Sequence, residues 1–202
     1  DRVALHEIAS KAENWRRKFS GGGPKDLAVS GDGRLVAVAT VDGPITVWST
    51  REGKRQVELP KHPGGTRRLA FSADGRKLAS TGGNKRVRLW DIDGDREIVS
   101  YGGHSIVPWS LHFFGKDRFL TSLSRDRTMR IWDTSPSPTK LVMESNQKCI
   151  TDYAVSPDGR LVAIQLQERP AGGDPETWLE IRRMRDGELV TTWRGSEAGG
   201  LQ

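Results

Sequence analysis

Short runs of alternating apolar and polar residues recur along the chain, separated by turns rich in glycine and aspartate. A run before each turn places apolar or aromatic residues at one equivalent position: Leu27, Leu69, Leu111 and Tyr153. Successive side chains of a strand point to opposite faces, so this alternation is typical of β-strands. A second apolar run follows each turn, and no stretch has the periodicity of a long helix. The pattern predicts an all-β chain.

The strands repeat with a fixed period. The turns SGDGR, SADGR, FGKDR and SPDGR recur every 42 residues, and a later strand ends on Trp48, Trp90 or Trp132 at the same spacing. Four strands of about six residues with short turns fill about 40 residues. Each period therefore predicts one four-stranded antiparallel sheet. A sheet that is apolar on both faces needs neighbours to cover it, so we expect the sheets to stack.

The segment GGHSIVPWSLHFFGKDRFLTSLSRDRTMRIWD, residues 102–133, resembles a repeat of the WD-repeat β-propeller family. It has the Gly-His opening, the turn, the Asp and the closing Trp-Asp of that family, and the resemblance covers nearly the whole chain in four periods. It implies an all-β propeller of four-stranded antiparallel blades. The chain opens halfway through a blade and ends on a completed one, so its ends do not complement each other. We expect about four and a half blades, in an open arc or as part of a larger ring.

The period sets the expected boundaries within a single partial propeller at 1–202. They are a half blade at 1–20, blades at 21–62, 63–104, 105–146 and 147–194, and a tail at 195–202. The fourth blade carries an insertion near 168–177, interpreted as ten residues, whose Pro and Gly content predicts a protruding hairpin loop. The first residue is Asp1 rather than Met, which suggests a piece of a longer protein. We expect the remaining blades to come from missing sequence or from another chain.

The resemblance also implies a hydrogen-bonded tetrad in each regular blade. In the third period it falls on His104, Ser122, Asp126 and Trp132. A buried indole N–H only donates, so the serine hydroxyl accepts it and donates to the histidine, whose other nitrogen donates to the aspartate. The other periods keep fewer members: His62, Ser80, Asn84 and Trp90 in the second, Asp42 and Trp48 with Ser20 and Val38 in the first, and Asn146, Ile164 and Met184 in the fourth.

Charge adds a candidate binding surface. The formal net charge is +6, which permits an acidic partner. In the family, loops that enter the first strand and loops between the second and third strands form a common binding face. On that rim we predict partner-binding residues, with Thr151 as the fourth equivalent of the strand-entry position: Lys25, Arg67, Trp109, Lys85, Arg86, Arg125, Arg127 and Trp178. Arginine matches carboxylate and phosphate, and tryptophan supplies a rigid anchor. A solvated surface is the alternative, because arginines also alternate along several strands.

Catalytic and metal chemistry find little support. His104, Ser122 and Asp126 contain the residue types of a catalytic triad, but they lie on the repeat grid with Trp132, and nothing indicates an oxyanion site. GGGP at 21–24 lacks the strand-loop-helix context of a phosphate-binding loop. Cys149 is the single cysteine, so no internal disulfide forms, as is usual in a reducing compartment. We expect no enzyme activity, no metal and no cofactor.

Together these features predict a soluble, cytoplasmic, non-catalytic scaffold. It has neither an apolar run of about 18 residues nor a signal peptide. The expected partner is a protein, or an acidic or phosphorylated peptide, held on the rim of the propeller. One alternative is nucleic-acid binding by the basic face, with an affinity that falls as salt rises. Another is a regulatory propeller attached to an enzyme domain, such as a kinase, outside this sequence.

Overall fold

The computed structural model describes residues 2–6, 13–18, 22–135, 140–144, 148–168, 170 and 173–195, and all regular structure in these ranges is β-strand. The all-β fold class is therefore confirmed. The chain divides into two compact units, Asp1–Phe113 and Phe114–Gln202. The predictions for Ser20, Asn146 and the tail beyond residue 195 lie outside the described residues. The expectation of one continuous arc stays a prediction.

Unit 1 contains two complete four-stranded antiparallel sheets. A pair of strands comes first, β1 at Arg2–His6 and β2 at Glu13–Lys18. The first sheet has β3 at Pro24–Val29, β4 at Leu35–Thr40, β5 at Ile45–Ser49 and β6 at Arg55–Leu59. The second has β7 at Thr66–Phe71, β8 at Lys77–Gly82, β9 at Val87–Asp91 and β10 at Arg96–Tyr101. Strand β11 follows at Pro108–Phe114. Each of the two sheets runs in chain order, as in a propeller blade.

The core of unit 1 lies between its two four-stranded sheets. Ile45, Val47 and Leu59 of the first sheet share one buried cluster with Leu78 and Trp90 of the second. Such stacking removes from water the apolar faces that a single sheet would expose. Leu69 of the second sheet and Leu27 of the first sheet occupy equivalent positions. Leu69 packs toward the first sheet and is 7% exposed, whereas Leu27 is 48% exposed. Among the described side chains, the outer face of the first sheet is therefore open.

A serine and an aspartate brace the turn between the first and second strands of the sheet. The Ser30 hydroxyl donates to Asp32 Oδ1 (2.7 Å), Arg34 N donates to the same oxygen (3.0 Å), and Leu35 N donates to Ser30 Oγ (3.0 Å). The intervening Gly33 has a φ of +70°, which favours glycine. The hydroxyl of Ser30 and then the amide of Arg34 lower the pKa of Asp32. The same bonds recur in the turns at 72–77 and 156–161.

Two series of β-bulges follow the repeat. On the first strands, the pairing register skips Lys25, Arg67 and Thr151. On the fourth strands it skips Gln56, Ile98 and Val190. A bulge leaves one residue unpaired and bends the strand locally. The first series therefore lies at the strand-entry positions of the proposed rim, and the second distorts the outer edges of the sheets.

Unit 2 contains the remaining strands. β12 at Phe119–Ser124, β13 at Thr128–Asp133 and β14 at Lys140–Glu144 pair in antiparallel order. A complete four-stranded sheet follows, with β15 at Cys149–Val155, β16 at Leu161–Glu168, β17 at Glu176–Arg183 and β18 at Leu189–Gly195. The eight-residue strands β16 and β17 extend the hairpin into the predicted insertion, so Glu168 and residues 176–177 lie in strands.

The register of the fourth sheet corrects the prediction for Met184. Leu78 and Leu120 pair with Trp90 and Trp132, and their equivalent Val162 pairs with Arg182. Arg182, and not Met184, therefore stands where the other sheets have tryptophan. Arg182 follows Trp132 by 50 residues, eight more than the period of 42, so the insertion is eight residues rather than ten. A shift of two residues keeps every side chain on its face, and the apolar pattern does not detect it.

Candidate partner-binding site

The second sheet contains a complete hydrogen-bonded chain beneath the candidate site. Trp90 Nε1 donates to Ser80 Oγ (2.8 Å), the Ser80 hydroxyl donates to His62 Nε2 (2.8 Å), and His62 Nδ1 donates to Asn84 Oδ1 (2.8 Å). His62 and Ser80 are fully buried. Every link satisfies a polar atom that would otherwise be costly to bury. This series of hydrogen bonds fixes the loop at Asn84, and the same loop carries the candidate residues Lys85 and Arg86.

The protonation state of His62 follows from its surroundings. Burial lowers the pKa of His62, because the charged imidazolium would lose its water, and the hydrogen bond to Asn84 opposes this shift only in part. The neutral ring with its proton on Nδ1 matches both partners. A Cβ at Gly82 would collide with the His62 side chain, so glycine at this position makes room for the ring. The lowered pKa of His62 and its complete burial together indicate that this histidine has a structural role.

In unit 2, the third period retains the link between its tryptophan and serine. Trp132 Nε1 donates to Ser122 Oγ (2.9 Å), and both side chains are buried. Asp126 Oδ1 accepts hydrogen bonds from the Thr128 backbone N (3.0 Å) and the Thr128 hydroxyl (2.6 Å). His104 is 7% exposed and belongs to unit 1. The loop from β12 to β13 is therefore also pinned by its aspartate, a contact that the sequence analysis did not anticipate.

The first and fourth sheets depart from this arrangement. In the first, Val38 offers no hydroxyl at the serine position, Asp42 is exposed, and Trp48 is partly buried. In the fourth, the guanidinium of Arg182 donates from Nε to Glu180 Oε2 (2.7 Å) and from Nη1 to the Gly187 carbonyl (3.0 Å). An ion pair thus occupies the position that a hydrogen-bonded indole holds in the second and third periods.

The candidate residues of unit 1 lie at one end of its sheets. Lys25 and Arg67 are the bulged residues of β3 and β7, and both are exposed. Lys85 is exposed in the loop from β8 to β9 with a φ of +62°. Beside it, Arg86 donates from Nε to Ser100 Oγ (2.6 Å) and from Nη2 to the Ser100 carbonyl (2.8 Å). Arg86 is therefore held in one orientation, whereas Lys25, Arg67 and Lys85 project from the backbone.

Two further residues at this end escaped the sequence analysis. Arg68 donates from Nε to the Trp109 carbonyl (2.8 Å) and from Nη1 to the Arg67 carbonyl (3.0 Å), so it ties the half-buried Trp109 to β7. Ile106, three residues before Trp109, is 45% exposed. The run of three consecutive polar residues TRR at 66–68 was the available signal for Arg68. We call Lys25, Arg67, Arg68, Lys85 and Arg86 the unit 1 rim.

The charges of unit 1 are sorted between the two ends of its sheets. Within the described residues, the unit 1 rim forms no ion pair with a carboxylate, although Asp26 and Asp42 lie at the same end. Asp26 is engaged by the backbone N of Leu69 (2.7 Å). At the opposite end most cations are paired: Arg34 with Asp32, Lys54 with Glu52, Arg76 with Asp93 and Arg96 with Asp91, while the exposed Arg51 forms no ion pair within the described residues. The uncompensated positive charge of unit 1 is therefore concentrated on its rim.

In unit 2, the predicted site residues do not form one cluster with a shared contact. Arg125 and Arg127 are exposed in the loop from β12 to β13, and Thr151 is the exposed bulge residue of β15. Trp178 is not in the loop but in β17, where Lys148 Nζ lies 3.5 Å and Arg194 Cζ 5.7 Å from the centre of its ring. Cations therefore already cover the aromatic face expected to serve as an anchor.

The comparisons identify the class of the repeats. The family model described as WD domain, G-beta repeat matches residues 53–91 and 95–133. These two segments are therefore WD repeats, as the resemblance of the sequence predicted for them. WD repeats generally mediate protein–protein interaction, and domains built from them are typically non-catalytic. The search of curated proteins found no match. No helix in the described ranges has the length and hydrophobicity needed to cross a membrane.

Proposed function

We propose that the chain is a non-catalytic interaction module whose unit 1 rim binds an acidic or phosphorylated segment of a partner protein. The concentration of unpaired cations on the rim carries this proposal. Exposed guanidinium and ammonium groups bind carboxylate and phosphate through charge-assisted hydrogen bonds. Trp109 and the exposed Ile106 supply apolar contacts at the same end of the unit, as the core of a protein interface requires.

The rigidity of the rim supports the same function. The network of His62, Ser80, Asn84 and Trp90 fixes the loop that carries Lys85, and the bulges of β3 and β7 re-aim Lys25 and Arg67. Preorganised groups lose less conformational entropy on binding. A scaffold that holds its cations in place therefore gains affinity from each contact. The cytoplasm is the location that we propose, on the basis of the single cysteine.

Binding is tested with an array of acidic and serine-phosphorylated peptides, followed by fluorescence polarisation on the peptides that bind. Arg67→Glu and Lys85→Glu, made singly, are each expected to weaken binding about tenfold or more, because a lost charge-assisted hydrogen bond is worth at least about 1.4 kcal/mol. Arg76→Glu makes the same charge change at the opposite end of the unit and is the matched control. Equal losses for the rim variants and Arg76→Glu would contradict a localised site.

Nucleic-acid binding through the same cations is the second candidate, favoured by their number. Phosphate contacts of this kind give an affinity that falls steeply with salt and depends little on sequence. Titration of duplex DNA and single-stranded RNA at two salt concentrations separates the two functions. Peptide binding that persists at moderate salt, with weak and salt-sensitive nucleic-acid binding, supports the protein partner. A regulatory role beside an enzyme domain would use the same rim and is tested on the longer protein.

A further inference from the structure

Unit 2 contains a cavity of about 920 Å³ at the turn end of its sheets. Phe114, Phe119 and Ile131 line one side, and Leu161 and Met184 of the fourth sheet line the other. The loop that carries Arg125 and Arg127 lies at the opposite end of β12, so the cavity is separate from the predicted rim residues of this unit. The WD-repeat assignment does not account for the cavity.

The apolar wall of the cavity is preformed. The rings of Phe114 and Phe119 stack with centroids 5.3 Å apart and planes inclined by 23°. Phe114 is 8% and Met184 is 7% exposed, whereas Leu161 at the mouth is 38% exposed. A flat aromatic or cyclic body could lie along this wall, because stacked or edge-to-face contacts with two phenyl rings favour such a shape.

Three arginines surround the apolar wall: Arg160, Arg183 and Arg185. Their present partners are carboxylates on the same loops, with Arg160 3.8 Å from Asp158 and Arg185 3.2 Å from Asp186. The side chains of Arg160 and Arg185 are 84% and 81% exposed. Exposed ion pairs of this kind contribute little stability, so a ligand anion can compete for these guanidinium groups.

The equivalent seam between the two sheets of unit 1 is packed differently. Ile92, at the position of Met184, belongs to the buried core cluster, and Leu35, at the position of Phe119, packs against it. This seam is filled by its own side chains. The cavity of unit 2 is therefore a departure from the repeat and not a general property of stacked sheets.

We propose that this cavity binds a small organic anion with a planar aromatic body. Its volume falls within the roughly 300–1,000 Å³ range of small-molecule sites, which are mainly apolar with a few polar groups that fix orientation. The aromatic body lies against Phe114 and Phe119, and its carboxylate or sulfonate faces Arg160 and Arg185. Asp158 also lines the cavity, so the ligand anion takes its place beside Arg160, and a purely apolar ligand leaves the arginines unused.

Methionine methyl NMR on the full chain tests the proposal directly, because the sequence has three methionines. With methyl-labelled methionine, 2-naphthoate is expected to shift the Met184 signal in a saturable manner at submillimolar concentration. Met129, fully buried in β13, is the internal reference and should not move. The neutral 2-naphthylmethanol should bind at least tenfold more weakly. An unmoved Met184 signal, or equal binding of the neutral compound, would overturn the proposal.

Substitutions separate a built site from general attraction of an aromatic anion. Arg160→Glu is expected to weaken 2-naphthoate binding about tenfold, and Leu161→Trp should block the mouth and abolish the Met184 shift. Arg34→Glu is the matched control, because Arg34 occupies the same turn position in the first sheet with the same 84% side-chain exposure. Equal weakening by Arg34→Glu and Arg160→Glu would show that the anion responds only to net charge and would reject the site.

Discussion

The second and fourth sheets have the same strand order but stabilise the equivalent core position differently. In the second sheet, the indole of Trp90 is 1% exposed and donates a hydrogen bond to Ser80. Further hydrogen bonds join Ser80 to His62 and His62 to Asn84. In the fourth sheet, Arg182 occupies the indole position and pairs with Glu180, and Ile164 stands in place of the serine. The first arrangement buries a large aromatic surface, whereas the second buries an arginine stem and keeps its charged end near solvent.

This difference shows which part of the repeat the fold requires. Both positions place a long side chain on the same face of a third strand, so volume and alternation are kept. The polar network is not required for the sheet, because the fourth sheet forms without it. What the network adds in the second sheet is a fixed loop beside the rim. We therefore expect the two sheets to respond unequally to substitutions, and four experiments test that expectation.

The largest effect is expected for Trp90→Ala. Removing a buried aromatic side chain creates a cavity and leaves Ser80 without its donor, which should lower the free energy of unfolding by about 3–5 kcal/mol. Urea denaturation followed by circular dichroism measures this change. Trp193→Ala in β18 is the control, because Trp193 is 46% exposed and its removal should cost clearly less, since less apolar surface returns to water. Equal losses would mean that the second sheet does not depend on its buried indole.

Ser80→Ala should have the next largest effect. The hydroxyl links Trp90 Nε1 to His62 Nε2, so its loss leaves two buried polar atoms without this partner, at a cost of about 1–3 kcal/mol. Thermal and urea unfolding provide the measurement. Thr192→Ala, an exposed hydroxyl in the fourth sheet, is the matched control. A stability unchanged from that of the control would show that water replaces the bridging hydroxyl.

Arg182→Met tests the ion pair of the fourth sheet. The side chains of Arg182 and Glu180 are 25% and 14% exposed. The loss should therefore lie between the exposed-pair value of about 0.2–1 kcal/mol and the buried-pair value of about 3–5 kcal/mol. The double variant Arg182→Met, Glu180→Leu should recover most of it, because no charge is then left unpaired. A double variant that recovers none of the loss would show that the cost comes from the missing interactions of Arg182 and not from an unpaired charge at Glu180.

The smallest effect is the pH dependence that His62 adds to the second sheet. Burial lowers the pKa of His62 below its ordinary value of 6.5. As pH falls below 6.5, the unfolded chain takes up a proton that the folded protein does not, so the free energy of unfolding declines by at most about 1.4 kcal/mol per pH unit. Above pH 6.5 this contribution is fully present. Unfolding measured between pH 5 and 8 detects the slope.

Asn84→Asp sharpens the same measurement. A carboxylate that accepts the His62 Nδ1 proton stabilises the imidazolium, so the pKa of His62 should rise and the acid-side decline should become shallower. Asn84→Ala is the control, because it removes the acceptor without adding charge. It should lower stability at all pH values and make the acid-side decline no shallower, because the hydrogen bond that opposes the lowering of the His62 pKa is lost. An identical slope in Asn84→Asp would exclude His62 as the source.

The all-β fold and the repeat were predicted from the sequence, but the register of the fourth sheet was not. Turn residues and recurring tryptophans define the first three periods because each is tied to a specific hydrogen bond or buried volume. In the fourth, the prediction placed Met184 at the tryptophan position, and the side-chain alternation is identical for a shift of two residues. Arg182 was not expected at the position of a buried tryptophan, because its pairing with Glu180 is visible only in three dimensions.

The residues of the binding surface were predicted in part. Lys25 and Arg67 followed from the repeat, but their bulged backbone did not, since neither strand carries a glycine at that point. Trp178 was predicted as a partner-binding residue directly after a protruding loop at 168–177, whereas it lies within the extended strand β17. The pairing of cations depends on contacts between residues far apart in sequence, such as Arg76 with Asp93. The separation of paired and unpaired charge could therefore not be deduced from composition.

The bulges of the fourth strands have a consequence for biosynthesis. While the chain emerges from the ribosome, a newly formed sheet is not yet covered by the next one. Its outer strand is then unpaired on one side. The kinks at Gln56, Ile98 and Val190 make that strand a poor template for straight, in-register pairing with another nascent chain. Protection against misassembly is thus encoded separately in the first, second and fourth sheets, whereas the described pairing of β14 with β13 is regular.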